Sequence, residues 1–221
     1  MTNVDDRLVR LRKLDCCALS DALDKLGLQG VVSGFPQQSG ANRIAGRAIT
    51  VKLGTGDPPP GPPRHLCSTA IGLGSPDNII VVEQRTGVEA GSWGGLLTLG
   101  AKLRGIAGVI ADGPVRDIDE ARQYEFPVFT HSLTALTARG RVVEKATNVQ
   151  VTIGTATVNP GDYVAADRSA VIFIAPSSID EVLDTAELIV AREAGIARAL
   201  LGGVPVGEAM GGNYEHMLSN H

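Results

Sequence analysis

Two uninterrupted apolar runs, DNIIVVEQ (residues 77–84) and GIAGVIADG (105–113), constrain this chain more than any other feature. Neither alternates polar with apolar residues, so each reads as a strand covered on both faces, the pattern of a buried parallel sheet. Between them, SWGGLLTLGAKLRG places Leu96, Leu97, Gly100 and Leu103 at helical spacing, with Ser92 as the expected N-cap and Gly105 as the stop. Strand, helix and strand in this order imply a right-handed crossover joining two parallel strands. RDIDEARQY follows as a short helix.

The flanks build outward from this unit. Val4, Leu8 and Leu11 share one face of a helix over residues 4–14, and Asp15 caps a second helix, CCALSDALDKLG, that Gly27 ends. GRAITVKL (46–53) reads as a strand. The proline-dense GDPPPGPPRH after it cannot enter a sheet interior and reads as a stiff surface connector. FPVFTHS, RVVEKA, VQVTIGTATV, DYVAAD and AVIFIAP are short strands separated by turns. A long helix then begins at SSIDEVLD, where Ser178 and Glu181 form a capping box; Ile179, Val182, Leu183, Ala186, Ile189 and Val190 make its apolar stripe. Residues 204–221 read as a tail, or as an arm ordered against another subunit. With no repeat and no linker, the 221 residues read as one α/β domain with a β-rich layer.

Charge and cysteine usage narrow the function. A net charge of −4 with no clustered basic face argues against nucleic acid as a partner. The N-terminus has neither the basic start nor the apolar stretch of a signal peptide, and no apolar run reaches the roughly 20 residues of a membrane span, so a cytoplasmic protein is expected. Cys16, Cys17 and Cys67 form no CxxC pair, and His65, His131, His216 and His221 lack metal-ligand spacing.

Two places carry chemistry. Gly94 and Gly95 remove side chains at a helix start, where unpaired N–H groups favour a carboxylate or phosphate. They equally suit close packing. Arg116 and Asp117 stand side by side at the carboxyl end of a buried strand, where open α/β sheets bind ligands. Arginine grips a carboxylate through two bonds, and aspartate offers a hard oxygen for Mg²⁺ or Mn²⁺. A helix-start ion pair is the plainer reading. Asp112 and Glu120 lie near enough in sequence to support the pair. Together, the two places suit a small 2-oxo acid: its carboxylate on N–H groups and arginine, its keto oxygen polarised by the metal, so that an adjacent C–C bond breaks.

GGLLTLGAKLRGIAGVIADGPVRDIDE resembles the RraA-like family, which includes class II pyruvate aldolases acting on 4-hydroxy-4-methyl-2-oxoglutarate and 4-carboxy-4-hydroxy-2-oxoadipate. SDALDKLG, GRAITV, NPGDYVAAD and the C-terminal helix fall in the family's order, so the resemblance covers nearly the whole chain. It implies a single-domain swivelling β/β/α fold, a homotrimer or homohexamer, and sites at subunit interfaces. By the same resemblance, Gly94, Gly95, Leu96, Leu97 and Arg116 bind the pyruvyl carboxylate and Asp117 holds Mg²⁺ or Mn²⁺. Glu120 matches an acidic position, and Glu193 of a neighbouring subunit helps hold the metal's waters. The implied activity is a metal-dependent C–C lyase releasing pyruvate from a 4-hydroxy-2-oxo acid, decarboxylating oxaloacetate, or both. Some relatives are instead non-catalytic regulators of an endoribonuclease. This chain departs from the aldolase pattern where Gly95 replaces an acid, Arg168 an acid, and His131 an arginine.

Overall fold

The two apolar runs pair in parallel, Ile79 beside Gly108 and Val82 beside Ala111. The computed structural model describes residues 5–62 and 64–211. Its elements in chain order are α1 (Asp6–Leu11), α2 (Cys16–Leu26), β1 (Val31–Val32), β2 (Gln37–Ser39), β3 (Ile44–Gly54), α3 (Ser68–Leu73), β4 (Asn78–Glu83), α4 (Gly95–Leu103), β5 (Gly108–Asp112), α5 (Ile118–Gln123), β6 (Val128–Thr130), β7 (Val143–Thr147), β8 (Val151–Ile153), β9 (Ala156–Val158), β10 (Tyr163–Ala166), β11 (Val171–Ile174), α6 (Ile179–Leu201) and α7 (Val206–Ala209).

Strands β3, β4, β5 and β6 run parallel through the centre of a mixed sheet. From β3 the sheet continues antiparallel through β10, β11 and β1, and β2 closes the other side against β6. β7 pairs with the carboxyl end of β3, and β8 and β9 form a separate hairpin. The continuous apolar runs are explained by burial on both sides. Ile80 and Val82 join Trp93, Leu97, Ala101 and Phe126 under α3, α4 and α5. Ile79 and Val81 face the opposite way, onto Phe129, Phe173 and the β8–β9 hairpin. A third cluster sits where α1, α2 and α6 cover β10 and β11. Each large side chain so buried contributes about 1.5–3 kcal/mol. Arg7 bonds both oxygens of Asp180, and Arg10 reaches Asp184 and Glu187. These exposed pairs fix the register of α1 on α6 more than they stabilise it.

Several local expectations are corrected. Asp15 does cap α2 through Ala18 N–H, and Gly27 ends it at φ 66°. Helix α1, however, spans only six residues; Val4 lies outside the described residues. VQVTIGTATV is two strands, because Gly154 turns the chain at φ 55°. The Ser178–Glu181 capping box does not form: Ser178 has near-helical backbone angles and makes no side-chain cap bond. The apolar stripe of α6 ends at Ile189, since Val190 is exposed on the stretch beyond the packed helices. Within the expected tail, Val206–Ala209 is helical, and residues 212–221 lie outside the described residues. The proline-dense loop contributes no strand among its described residues. No helix among the described residues is long and apolar enough to cross a membrane.

Gly30 is a position where fold and backbone freedom meet. Its φ is 150°, its carbonyl accepts from Phe173 N–H, and an added Cβ would sit 2.1 Å from the Phe173 carbonyl oxygen. Gly30→Ala is therefore expected to destabilise the protein by about 1–3 kcal/mol, read from the urea midpoint. An unchanged midpoint would contradict this close approach.

Candidate active site

The site is built where two loops are stitched together at the carboxyl ends of β4 and β5. After β5, Gly113 and Pro114 turn the chain, and Val115 bridges in parallel to both Trp93 and Leu133. Ser92 N–H donates to the Pro114 carbonyl (2.7 Å), and Arg116 N–H donates to the Trp93 carbonyl (3.0 Å). Gly91 N–H is tied to the Leu136 carbonyl at 2.9 Å. This stitching presents Arg116 and Asp117 directly beside the start of α4.

The glycines are needed for that approach. The Arg116 stem lies across Gly91 and Gly94, where an added Cβ would meet it at 3.0 and 3.1 Å. Asp117 Oδ2 accepts the Gly95 N–H at 3.1 Å, and Arg116 Nε lies 3.3 and 3.2 Å from the two Asp117 oxygens. Only Nε of the guanidinium is so used; its two terminal nitrogens have no partner among the described residues. Asp117 sits at the N-cap of α5 in the left-handed region (φ 57°, ψ 39°) and makes no cap bond with its own helix. Such a conformation costs a non-glycine residue about 1 kcal/mol or more and marks a position held by its surroundings. Both side chains remain about one-third exposed, at 36% and 33%.

Glu120, one turn along α5, fills the space that Gly95 leaves. A Cβ on Gly95 would lie 1.7 Å from Glu120 Oε2 and 2.6 Å from its Cδ. The Glu120 carboxylate has no hydrogen bond or ion pair among the described residues. The space beside the helix start that Gly95 leaves open is thus occupied by a carboxylate reached from α5.

Other expected positions fall differently. Ser92 is buried and is not the cap of α4: its hydroxyl donates to the Pro114 carbonyl, and Gly94 holds the N-cap position without a side-chain bond. Gly105 does follow the helix end, at φ 73°. The buried face of α4 is Leu97, Thr98 and Ala101, fixed by Trp93 Nε1 donating to Thr98 Oγ1 at 2.8 Å, whereas Leu96 and Leu103 are 86% and 79% exposed. Asp112 is engaged elsewhere, with Oδ1 3.2 Å from His131 Nε2 and Oδ2 accepting Gly154 N–H at 2.9 Å. His131 also meets Phe35 edge-on. Glu193 is exposed on α6, with no hydrogen bond or ion pair among the described residues. Burial, reinforced by nearby Glu144, pushes the Cys67 thiol well up, so it stays protonated and unreactive. Spacing placed Glu120 near the pair but not over Gly95, and it did not point to Gly91, whose sequence signal is the extra glycine in EAGSWGG.

A metal fits this donor set in one particular way. No group of three or more His, Cys, Asp or Glu side chains able to hold an ion occurs among the described residues. Asp117 and Glu120 instead offer a pair of hard carboxylates open to water. That suits Mg²⁺ or Mn²⁺, which keep several waters and need one or two carboxylates, and does not suit zinc.

Comparison with known proteins agrees with this architecture. Protein DlpA of Legionella pneumophila is 27% identical over 202 residues, 91% of this chain, but the match spans only 33% of that longer protein. A Halalkalibacterium halodurans protein named "Putative 4-hydroxy-4-methyl-2-oxoglutarate aldolase" is 27% identical over 82% of each chain. Among solved structures, an uncharacterized protein from Pseudomonas syringae superposes with a TM-score of 0.82 at 28% identity, covering 95% of this chain and 94% of that one. RraAS2 of Streptomyces coelicolor, described as an unusual member of the RNase ES inhibitor RraA protein family, gives 0.76 at 22% identity over 88% and 96%, a likeness of fold. The Aldolase/RraA family model matches residues 16–173, and the chain belongs to the RraA-like family.

Proposed function

We propose that the protein is a divalent-metal-dependent C–C lyase acting on a small 2-oxo acid. Its reaction is retro-aldol cleavage of a 4-hydroxy-2-oxo acid to pyruvate, decarboxylation of oxaloacetate, or both. The observation that carries this reading is the convergence of Arg116, Asp117 and Glu120 on a helix start free of side chains. The terminal nitrogens of Arg116 and the first-turn amides of α4 hold the substrate carboxylate, which then competes with Asp117 for the Gly95 N–H and Arg116 Nε. Asp117, with Glu120 beside it, holds Mg²⁺ or Mn²⁺. When bound, that ion supplies Lewis-acid polarisation of the keto group. Glu120 Oε2 accepts the proton of the 4-hydroxyl, directly or through one water, as the C–C bond breaks; the electron pair passes to the carbon beside the keto group, which then takes a proton to give pyruvate. Decarboxylation needs no such base, because carbon dioxide leaves without a proton to lose. Glu193 from a neighbouring copy, in a trimer or hexamer, is proposed to complete the site.

The names of relatives support lyase chemistry at the level of the family, and the same family includes a protein described as an RNase inhibitor relative. Metal binding separates the two. Mn²⁺ titration followed by electron paramagnetic resonance is expected to show one site per chain, lost in Asp117→Ala with the native mass unchanged. Failure of the wild-type protein to bind Mn²⁺ would sink the lyase reading.

A further inference from the structure

A second concave site, lined by neither Arg116 nor Asp117, lies between the proline-dense loop and the segment running into β7. It encloses about 690 Å³, and none of its lining residues belongs to the candidate active site. That volume lies within the range of small-molecule sites, about 300–1,000 Å³. Its walls are largely apolar, with several prolines of residues 58–62 facing Leu66 and Val143.

The charges around it are arranged unevenly. Glu144 is the cavity's carboxylate, and both its oxygens are taken by the floor: one accepts Cys67 N–H, the other the Thr147 hydroxyl, each at 2.5 Å. Three cations also line the cavity, namely Arg64, Arg139 and Lys145. Lys145 Nζ donates to the Asp57 backbone carbonyl, a neutral partner. The guanidinium groups of Arg64 and Arg139 have no hydrogen bond or ion pair among the described residues. Six other arginines, Arg7, Arg10, Arg12, Arg47, Arg116 and Arg122, each pair with a carboxylate. Cations without carboxylate partners, collected around one apolar cavity of a protein with net charge −4, are complementary to an anion with an apolar body.

We propose that this cavity binds an organic carboxylate carrying an apolar chain or ring, independently of the Arg116–Asp117 site. The carboxylate lies against Arg64 and Arg139, and the apolar body lies along the proline wall. Glu144 does not repel the ligand strongly, because its oxygens are engaged by the floor.

The test uses the full-length protein and two probes, 4-phenylbutyrate and its uncharged amide, with binding followed by saturation-transfer NMR. Saturable binding of the acid is expected, about tenfold weaker for the amide, since a charge-assisted hydrogen bond is lost. Arg64→Ala/Arg139→Ala is expected to weaken acid binding about tenfold or more at unchanged native mass, whereas Arg116→Ala leaves it unchanged. No saturable binding, or equal binding of acid and amide, would overturn the proposal. Loss of binding in Arg116→Ala would move the ligand to the other site. A changed oligomeric mass in the double variant, with no acid binding to the wild type, would make this face a contact between copies instead.

Discussion

Arg116→Ala is expected to lower kcat/KM for pyruvate release by about 10²–10³-fold, the usual cost of removing one preorganised donor from a developing or bound anion. The magnitude follows from geometry. The stem is seated between Gly91 and Gly94, so the guanidinium is aimed before substrate arrives and loses little freedom on binding it. Lysine does not replace it: the ammonium is a point charge without the planar fork, so Arg116→Lys is expected to recover only a small part of the loss. Mn²⁺ binding should survive, because Asp117 keeps its Gly95 amide contact. An Arg116→Ala variant within threefold of wild type would place carboxylate binding elsewhere.

The second large effect concerns Gly95 and Glu120. Glu120→Gln is expected to lower retro-aldol cleavage by about 10²-fold, as for loss of a general base, and to lower decarboxylation of oxaloacetate less, since that reaction loses only a neighbour of the metal-holding Asp117. Gly95→Asp alone is also expected to be harmful. Its Cβ would fall 1.7 Å from Glu120 Oε2, so Glu120 must swing away and a further carboxylate crowds Asp117. Gly95→Asp combined with Glu120→Ala relieves both problems and returns a carboxylate to the same space from α4. Activity of the double variant should therefore exceed the product of the single losses, with a coupling of about 1–3 kcal/mol in a double-mutant cycle. Simple additivity would show that the two positions do not share a role.

The sheet was legible because burial on both faces leaves an unmistakable trace. Ile79 through Val82 are all apolar only because alternate residues enter different cores. Arg116 and Asp117 were legible for a related reason, since polar residues directly behind such a strand stand at its carboxyl end. What sequence spacing could not convey were contacts made across the fold. Ser92 has the right residue type for a cap, but the Pro114 carbonyl takes its hydroxyl. Leu96, Leu97 and Leu103 have helical spacing, yet the Trp93–Thr98 bond determines which face of α4 meets the sheet. Glu120 over Gly95 arises only when α5 packs on α4, a contact that spacing along the chain does not display.

The measurement that tests the central claim most directly is pyruvate release from oxaloacetate by the purified protein, first with Mg²⁺ and then with excess chelator. The metal-catalysed background without protein is subtracted. Release that exceeds this background, stops with chelator and resumes when Mg²⁺ is restored is the predicted result. Release no faster than the background at every Mg²⁺ concentration would contradict the assignment of Arg116 and Asp117 to a pyruvyl site.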